Sequence, residues 1–188
     1  MLENIKKSEK KPLKQLPSQQ LLQEIQDFIS TRPNHQSERK RWIHYCLFLL
    51  CWKAGLRINE AVNFNLGLKH PEPNYGDLYL LRGKRRKDRY VYVSPEIIGI
   101  LKRNDWEPNK GSRRDFWGFL NRIRKDLNIN ISTELAPHTL RRCFATYNLL
   151  AGMPLNILQK VLGHSRVSTT ALYIRDSDIS NLLKFKPI

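Results

Sequence analysis

Residues 138–174 read HTLRRCFATYNLLAGMPLNILQKVLGHSRVSTTALYI, and the polar residues in this stretch decide how the rest of the chain is read. Pro137 and Gly152 bracket a predicted helix over 138–150, and Pro154 and Gly163 bracket a second over 154–162. Proline suits the first turn of a helix and glycine its exit. A third, short element is expected over 168–173. His138 and Arg141 are three positions apart, so a helix presents them on one face. Gly163 permits a sharp turn that aims His164 back toward that face. Tyr173 follows nine residues after His164. Taken singly, each residue has an ordinary reading. A histidine at a helix start is commonly a cap, an arginine is commonly solvated, and Tyr173 is one of seven tyrosines. The helices 154–162 and 168–173 also read as a helix-turn-helix DNA reader.

Working outward, Ser18 is placed to cap a helix whose apolar residues Leu21, Leu22, Ile25, Phe28 and Ile29 follow a 3.6-residue period. Residues 42–52 are apolar nearly all round, as a helix buried on most sides should be, and Gly55 ends them. Residues 57–62 (RINEAV) start another short helix. DLYLLR (77–82) and RYVYV (89–93) are rich in aromatic and branched residues and read as a β-hairpin. Ser94-Pro95 opens a helix over 95–103, and Phe116, Phe119, Leu120, Ile123 and Leu127 recur at helical spacing. Residues 178–183 form a small apolar-periodic tail. No internal repeat is present. The expected fold class is α+β: mainly helical, with one small antiparallel sheet.

Composition narrows the function. The chain has 188 residues, enough for one domain with a sizeable core. Its longest apolar run, residues 45–52, is far below the roughly 20 residues needed to span a bilayer. The lysine-rich start lacks the apolar stretch of a secretory signal and reads as a basic arm over 1–14, carrying Lys6, Lys7, Lys10, Lys11 and Lys14. Cys46, Cys51 and Cys143 form an odd set with no CxxC pair, which argues against a disulfide framework or a zinc site and for a cytoplasmic protein. Lys and Arg number 33 against 17 Asp and Glu, a formal charge of +16. A polyanionic partner follows, because neutralising phosphates releases counterions. Residues 82–89 (RGKRRKDR) concentrate six basic residues and one acid between the two predicted strands. A solvated loop is the alternative reading of that cluster.

In combination these features resemble the tyrosine recombinase (phage integrase) family over roughly residues 12–185. The 138–174 string looks like the family's HxLR, LGH and STTxxY boxes in order. AGLRINEAVNF resembles its first arginine box, with Arg57 followed by Glu60, and LLRGKRRKDRYVYV resembles the hairpin that presents a catalytic lysine, here Lys84. The resemblance implies a tyrosine recombinase catalytic-domain fold and a site-specific recombinase that cleaves and rejoins DNA through a 3′-phosphotyrosyl intermediate. Tyr173 is then the nucleophile, and Arg57, Lys84, His138, Arg141 and His164 complete the catalytic set. Residue chemistry agrees: a phenol with a pKa of about 10 needs a proton acceptor, and a guanidinium forks two donors onto phosphate oxygens. Glu60 either braces a guanidinium or is an exposed helix carboxylate. DNA contacts are expected from Arg82, Arg85, Arg86, Lys87, Arg89 and Arg142, the last standing where the family often has histidine. No metal or other cofactor is implied.

Expected partners are double-stranded DNA, a homotetramer on synapsed DNA, and an accessory recombinase or DNA-bending protein, with no membrane. The protein is expected in a prokaryotic cytoplasm, on the nucleoid when DNA-bound. About sixteen residues precede the first predicted helix, so residues 15–188 are expected to form the catalytic domain without a separate core-binding domain, as in short fimbrial-switch invertases, with Xer-type recombinases also similar. Two other classes fit parts of the sequence. A catalytically inactive DNA-binding regulator predicts binding without a covalent intermediate. A basic RNA-binding or ribosomal protein explains the charge but leaves the ordered Arg–Lys–His–Arg–His–Tyr series to coincidence.

Overall fold

The longest apolar run forms the axis of the molecule. In the computed structural model, which describes residues 15–31, 38–75, 77–82 and 88–164, helix α2 (Glu38–Trp52) is buried without interruption from His44 to Trp52. Such a helix must be surrounded, and it is. Helix α1 (Gln19–Thr31), α3 (Ile58–Val62), α4 (Pro95–Arg103), α5 (Arg113–Asp126) and α6 (Pro137–Leu150) all pack against it. Helix α2 starts at Glu38, earlier than its apolar pattern predicts. Its first turn (Glu38, Arg39, Lys40) is exposed and carries no hydrophobic periodicity.

Serines cap three helices, at the expected Ser18 and Ser94 and also at Ser112. Ser18 Oγ accepts from Leu21 N at 3.1 Å, Ser94 Oγ from Ile97 N at 3.4 Å and Ser112 Oγ from Asp115 N at 3.0 Å, satisfying orphan donors at three helix starts. Helix α1 turns Leu22, Ile25 and Ile29 inward. Strands β1 (Leu78–Leu81) and β2 (Arg89–Tyr92) form the antiparallel hairpin, with Tyr79 opposite Val91 and Leu81 opposite Arg89. Tyr79, Leu81 and Val91 are buried, while Tyr90 and Tyr92 face solvent. The two-residue period of a strand therefore puts Arg89 on the inner face.

Helix α7 (Leu155–Leu162) sits apart from the main core. It packs on α6 through a small cluster of Ala145, Leu158 and Leu162, flanked by Phe144, Leu149 and Met153. Gly163 closes it in the left-handed conformation at φ 62°, where a side chain is disfavoured. The chain preceding α1 is tied to the segment before α6 and to α6 itself: Gln15 N donates to Ser132 O at 2.9 Å and Glu134 N to Gln15 O at 2.8 Å, and the Tyr147 hydroxyl of α6 donates to Pro17 O. The elements predicted over 168–173 and 178–183 lie outside the described residues.

Candidate active site

Gly55 starts the site. It adopts φ +67°, and a Cβ there would lie 2.5 Å from the Phe144 ring, so only glycine lets the α2–α3 turn meet α6. The turn delivers Arg57 to the N-cap of α3. Arg57 N donates to Glu60 Oε2 at 2.7 Å, its Nη1 donates to Glu60 Oε1 at 2.8 Å, and its Nη2 reaches Gly163 O at 3.5 Å. With 44% of its side chain exposed, Arg57 also faces outward.

Glu60 is the centre of an arginine cluster. Besides Arg57, it accepts from Arg89 Nη1 and Nη2, both at 2.8 Å, and from Arg141 Nη1 at 3.5 Å. Its side chain is 13% exposed, so it is not the exposed helix carboxylate allowed by sequence. Burial alone pushes a carboxyl pKa up. Here the hydrogen bonds and charge of Arg89, joined by the bonds from Arg57, reverse that effect and hold Glu60 down at about 2.

Helix α6 supplies His138 and Arg141. Arg141 is 1% exposed. Its Nη1 donates to Gly55 O at 2.7 Å and its Nη2 to Leu162 O. This one guanidinium ties together the α2–α3 turn, α6 and the end of α7. His138 stands exposed on the first turn of α6. Desolvation by the protein packed around it, reinforced by Arg141 and Arg142, lowers its pKa. His164 follows the Gly163 turn, its N–H donating to Gln159 O at 3.1 Å. Desolvation, then Arg141, Arg57 and Arg89, bring its pKa down to about 4. Arg57, His138, Arg141 and His164, spread over more than a hundred positions, are thus close enough to act on one another's charge. Both imidazoles are neutral at pH 7 and able to accept a proton.

The residues expected to touch DNA are placed differently from one another. Arg82 is exposed. Arg142 pairs with Glu134 at 2.9 Å. Arg89 requires a correction: its side chain is 11% exposed, its Nε donates to Val161 O at 2.8 Å, and its fork closes on Glu60. The alternation of β2 signals this, since Arg89 shares a face with Val91. Lys84, Arg85, Arg86, Lys87 and Tyr173 lie outside the described residues. Sequence reasoning also passed over His44, a buried ring stacked 4.5 Å from Phe119 whose pKa burial lowers to about 4. Burial raises the thiols of Cys46, Cys51 and Cys143 to about 12 each, which marks them as unreactive apolar packing. Among the described residues no group of three or more His, Cys, Asp or Glu is placed to hold a metal ion, and no helix is long and apolar enough to cross a membrane.

Comparison with known proteins agrees with this architecture. The phage integrase family model matches residues 14–179. Tyrosine recombinase XerA of Pyrococcus horikoshii is 30% identical over 180 residues, covering 86% of this chain and 58% of that protein. The chain therefore spans little more than half of that relative's length. Among solved structures, XerH site-specific recombinase bound to palindromic difH substrate in a post-cleavage complex superimposes with TM-score 0.73 at 21% identity, over 92% of this chain and 53% of that one. The catalytic domain of bacteriophage HP1 integrase gives 0.64 at 18% identity, over 93% and 96%. These two likenesses establish the fold, that of tyrosine recombinase catalytic domains. The chain belongs to the phage integrase family.

Proposed function

We propose that this protein is a site-specific DNA recombinase that cleaves and rejoins strands through a 3′-phosphotyrosyl intermediate. The observation that carries the reading is the meeting of Arg57 and Arg141 at the Glu60 carboxylate, with His138 and His164 close enough to both arginines to feel their charge, in a chain whose remaining two catalytic positions, Lys84 and Tyr173, match the family's boxes in order. Tyr173 Oη attacks the scissile phosphorus, and its proton passes to His138 or His164. A bond from Tyr173 to phosphorus forms as the bond from phosphorus to the 5′ oxygen breaks. The Lys84 ammonium donates a proton to that departing oxygen. Arg57 and Arg141 offer forked donors to the non-bridging oxygens, where charge builds. Attack by a free 5′ hydroxyl on another strand reverses these steps and reseals the backbone without an external energy source, because the tyrosyl ester retains the phosphodiester energy.

The low pKa of His164 fits this role. Burial first, then the neighbouring arginines, lower it; an arriving phosphate anion offsets the arginines and raises its basicity where the phenol proton must go. Arg141 has almost no open surface, so it meets a phosphate by exchanging its bond to Leu162 O for one to a phosphate oxygen.

The substrate in this reading is double-stranded DNA, drawn by the formal charge of +16 and contacted by Arg82, Arg85, Arg86, Lys87 and Arg142. Residues 15–188 act as the catalytic unit and 1–14 as a basic arm, within a homotetramer on synapsed DNA assisted by a second recombinase or a DNA-bending protein. The test is a nicked duplex carrying the DNA that flanks the gene: a denaturation-resistant protein–DNA adduct supports the reading, and tight binding without an adduct favours a DNA-binding regulator.

A further inference from the structure

Three observations single out Arg89. It lies on the inner face of β2, opposite Leu81. Its three nitrogens are all engaged by protein: Nη1 and Nη2 on Glu60 and Nε on the Val161 carbonyl of α7. Third, the Gly163 turn fits against it so closely that a Cβ on Gly163 would lie 2.9 Å from Arg89 Cδ and 3.0 Å from Nη1. A basic residue placed to grip a DNA backbone keeps its donors outward. This one turns them inward, and it bridges three elements that each carry part of the reaction machinery: the hairpin, α3 and the end of α7.

We infer that Arg89 is a positioning residue for the strand-cleavage reaction, acting through the Glu60 carboxylate and the Gly163 turn rather than on DNA. Its fork occupies both carboxylate oxygens of Glu60 from one side, which fixes the plane that the carboxylate presents to Arg57 and Arg141. Its Nε bond holds the last turn of α7, and its aliphatic stem backs Gly163, so the same side chain sets where His164 points. Lysine retains the charge but has neither the planar fork nor the third donor in the same plane. Five residues upstream of Arg89 in sequence is Lys84, so the strand that leaves the lysine-bearing connection is the strand anchored here.

This inference rests on the recombinase reading, and its test separates the two. Full-length wild-type protein, Arg89→Lys, Arg89→Gln, Glu60→Gln and the double variant Glu60→Gln/Arg89→Gln are compared on the nicked duplex. Readouts are single-turnover adduct formation, DNA affinity across a salt series, and thermal unfolding. Adduct formation should slow about 100-fold in both Arg89 variants, the scale of a small misplacement of reacting groups, with affinity and its salt slope unchanged. The double variant should be no slower than the slower single variant, because residues acting through one another are non-additive. If Arg89→Gln unfolds, Arg89→Lys carries the comparison. Weakened binding with a salt slope reduced by about one would make Arg89 a phosphate contact and overturn the inference. So would a wild-type rate at temperatures where the variants stay folded, or additive effects of the two substitutions. If wild-type protein forms no adduct, the recombinase reading falls and this inference falls with it; an adduct formed at an unchanged rate by both variants overturns the inference alone.

Discussion

Arg89 and Glu60 meet through two hydrogen bonds of 2.8 Å each, although 29 residues separate them. The same carboxylate accepts from Arg57 and Arg141, so one anion holds three guanidiniums in a shared geometry. Three guanidiniums so close together repel one another unless an anion lies among them. The Glu60 carboxylate is that anion here, accepting hydrogen bonds from all three.

Acid stability should report Glu60. Its folded pKa of about 2 lies below its unfolded value of about 4.3. The resulting stabilisation is therefore fully present above the unfolded value and is lost as pH falls toward 2. The shift corresponds to about 3 kcal/mol by linkage. Equilibrium unfolding of Glu60→Gln should show a flatter decline than wild type between about pH 4.5 and 2. An identical acid limb in both proteins would mean that the cluster does not hold the carboxylate.

His164 should titrate far below an ordinary imidazole. Nuclear magnetic resonance of the labelled ring is expected to give a pKa near 4, and Arg57→Gln should raise it, because Arg57 contributes to the depression. The sign for stability follows: the folded protein prefers the neutral ring, so this contribution is complete above about pH 6.5 and falls away as pH drops toward 4. A midpoint near 6.5 in the wild-type protein would contradict the placement of His164 among the arginines.

Gly163→Ala should damage activity out of proportion to its size. The residue sits at φ +62° and its Cβ would meet the Arg89 stem. The left-handed conformation alone costs a non-glycine residue about 1–2 kcal/mol. The variant should fold with a lowered midpoint and should slow adduct formation as Arg89→Gln does. Wild-type cleavage by this variant would separate the turn from the chemistry.

The two arginines proposed to hold the scissile phosphate should fail in different ways. Arg57, 44% exposed, is expected to lose about 10²–10³ in rate on truncation, the cost of one oxyanion donor, with little change in thermal midpoint. Arg141 satisfies the buried carbonyls of Gly55 and Leu162. Orphaning such groups costs about 1–3 kcal/mol each, so Arg141→Ala should lower the midpoint well beyond Arg57→Ala. Equal midpoints for the two variants would mean that Arg141 does not knit the three segments together.

Most of the fold was legible because its signals are local. Serines and prolines at helix starts, glycines at exits, a 3.6-residue apolar period in α1 and α5, and aromatic runs flanking a basic loop all act within a few residues. The start of α2 was not legible from its periodicity, because its first turn is polar and helical only through continuity with the buried run behind it. The identities of the site residues came from ordered motifs, but their partners did not. Glu60 reads as a brace or an exposed acid until β2 folds back on α3 and brings Arg89 to it. Arg89 reads as one more cation in a basic string, and only its parity with Val91 hints that it turns inward. Charge composition draws no distinction between an arginine aimed at DNA and one aimed at a buried carboxylate. Tertiary contact makes that distinction.

Formation of the covalent intermediate decides the matter, with wild-type protein and Tyr173→Phe compared side by side on the nicked duplex after denaturation. A labelled adduct is expected for the wild type, mapping to the peptide that contains Tyr173, and none for Tyr173→Phe, which should still bind the DNA. An adduct that persists in Tyr173→Phe, or that maps to another residue, would contradict that expectation.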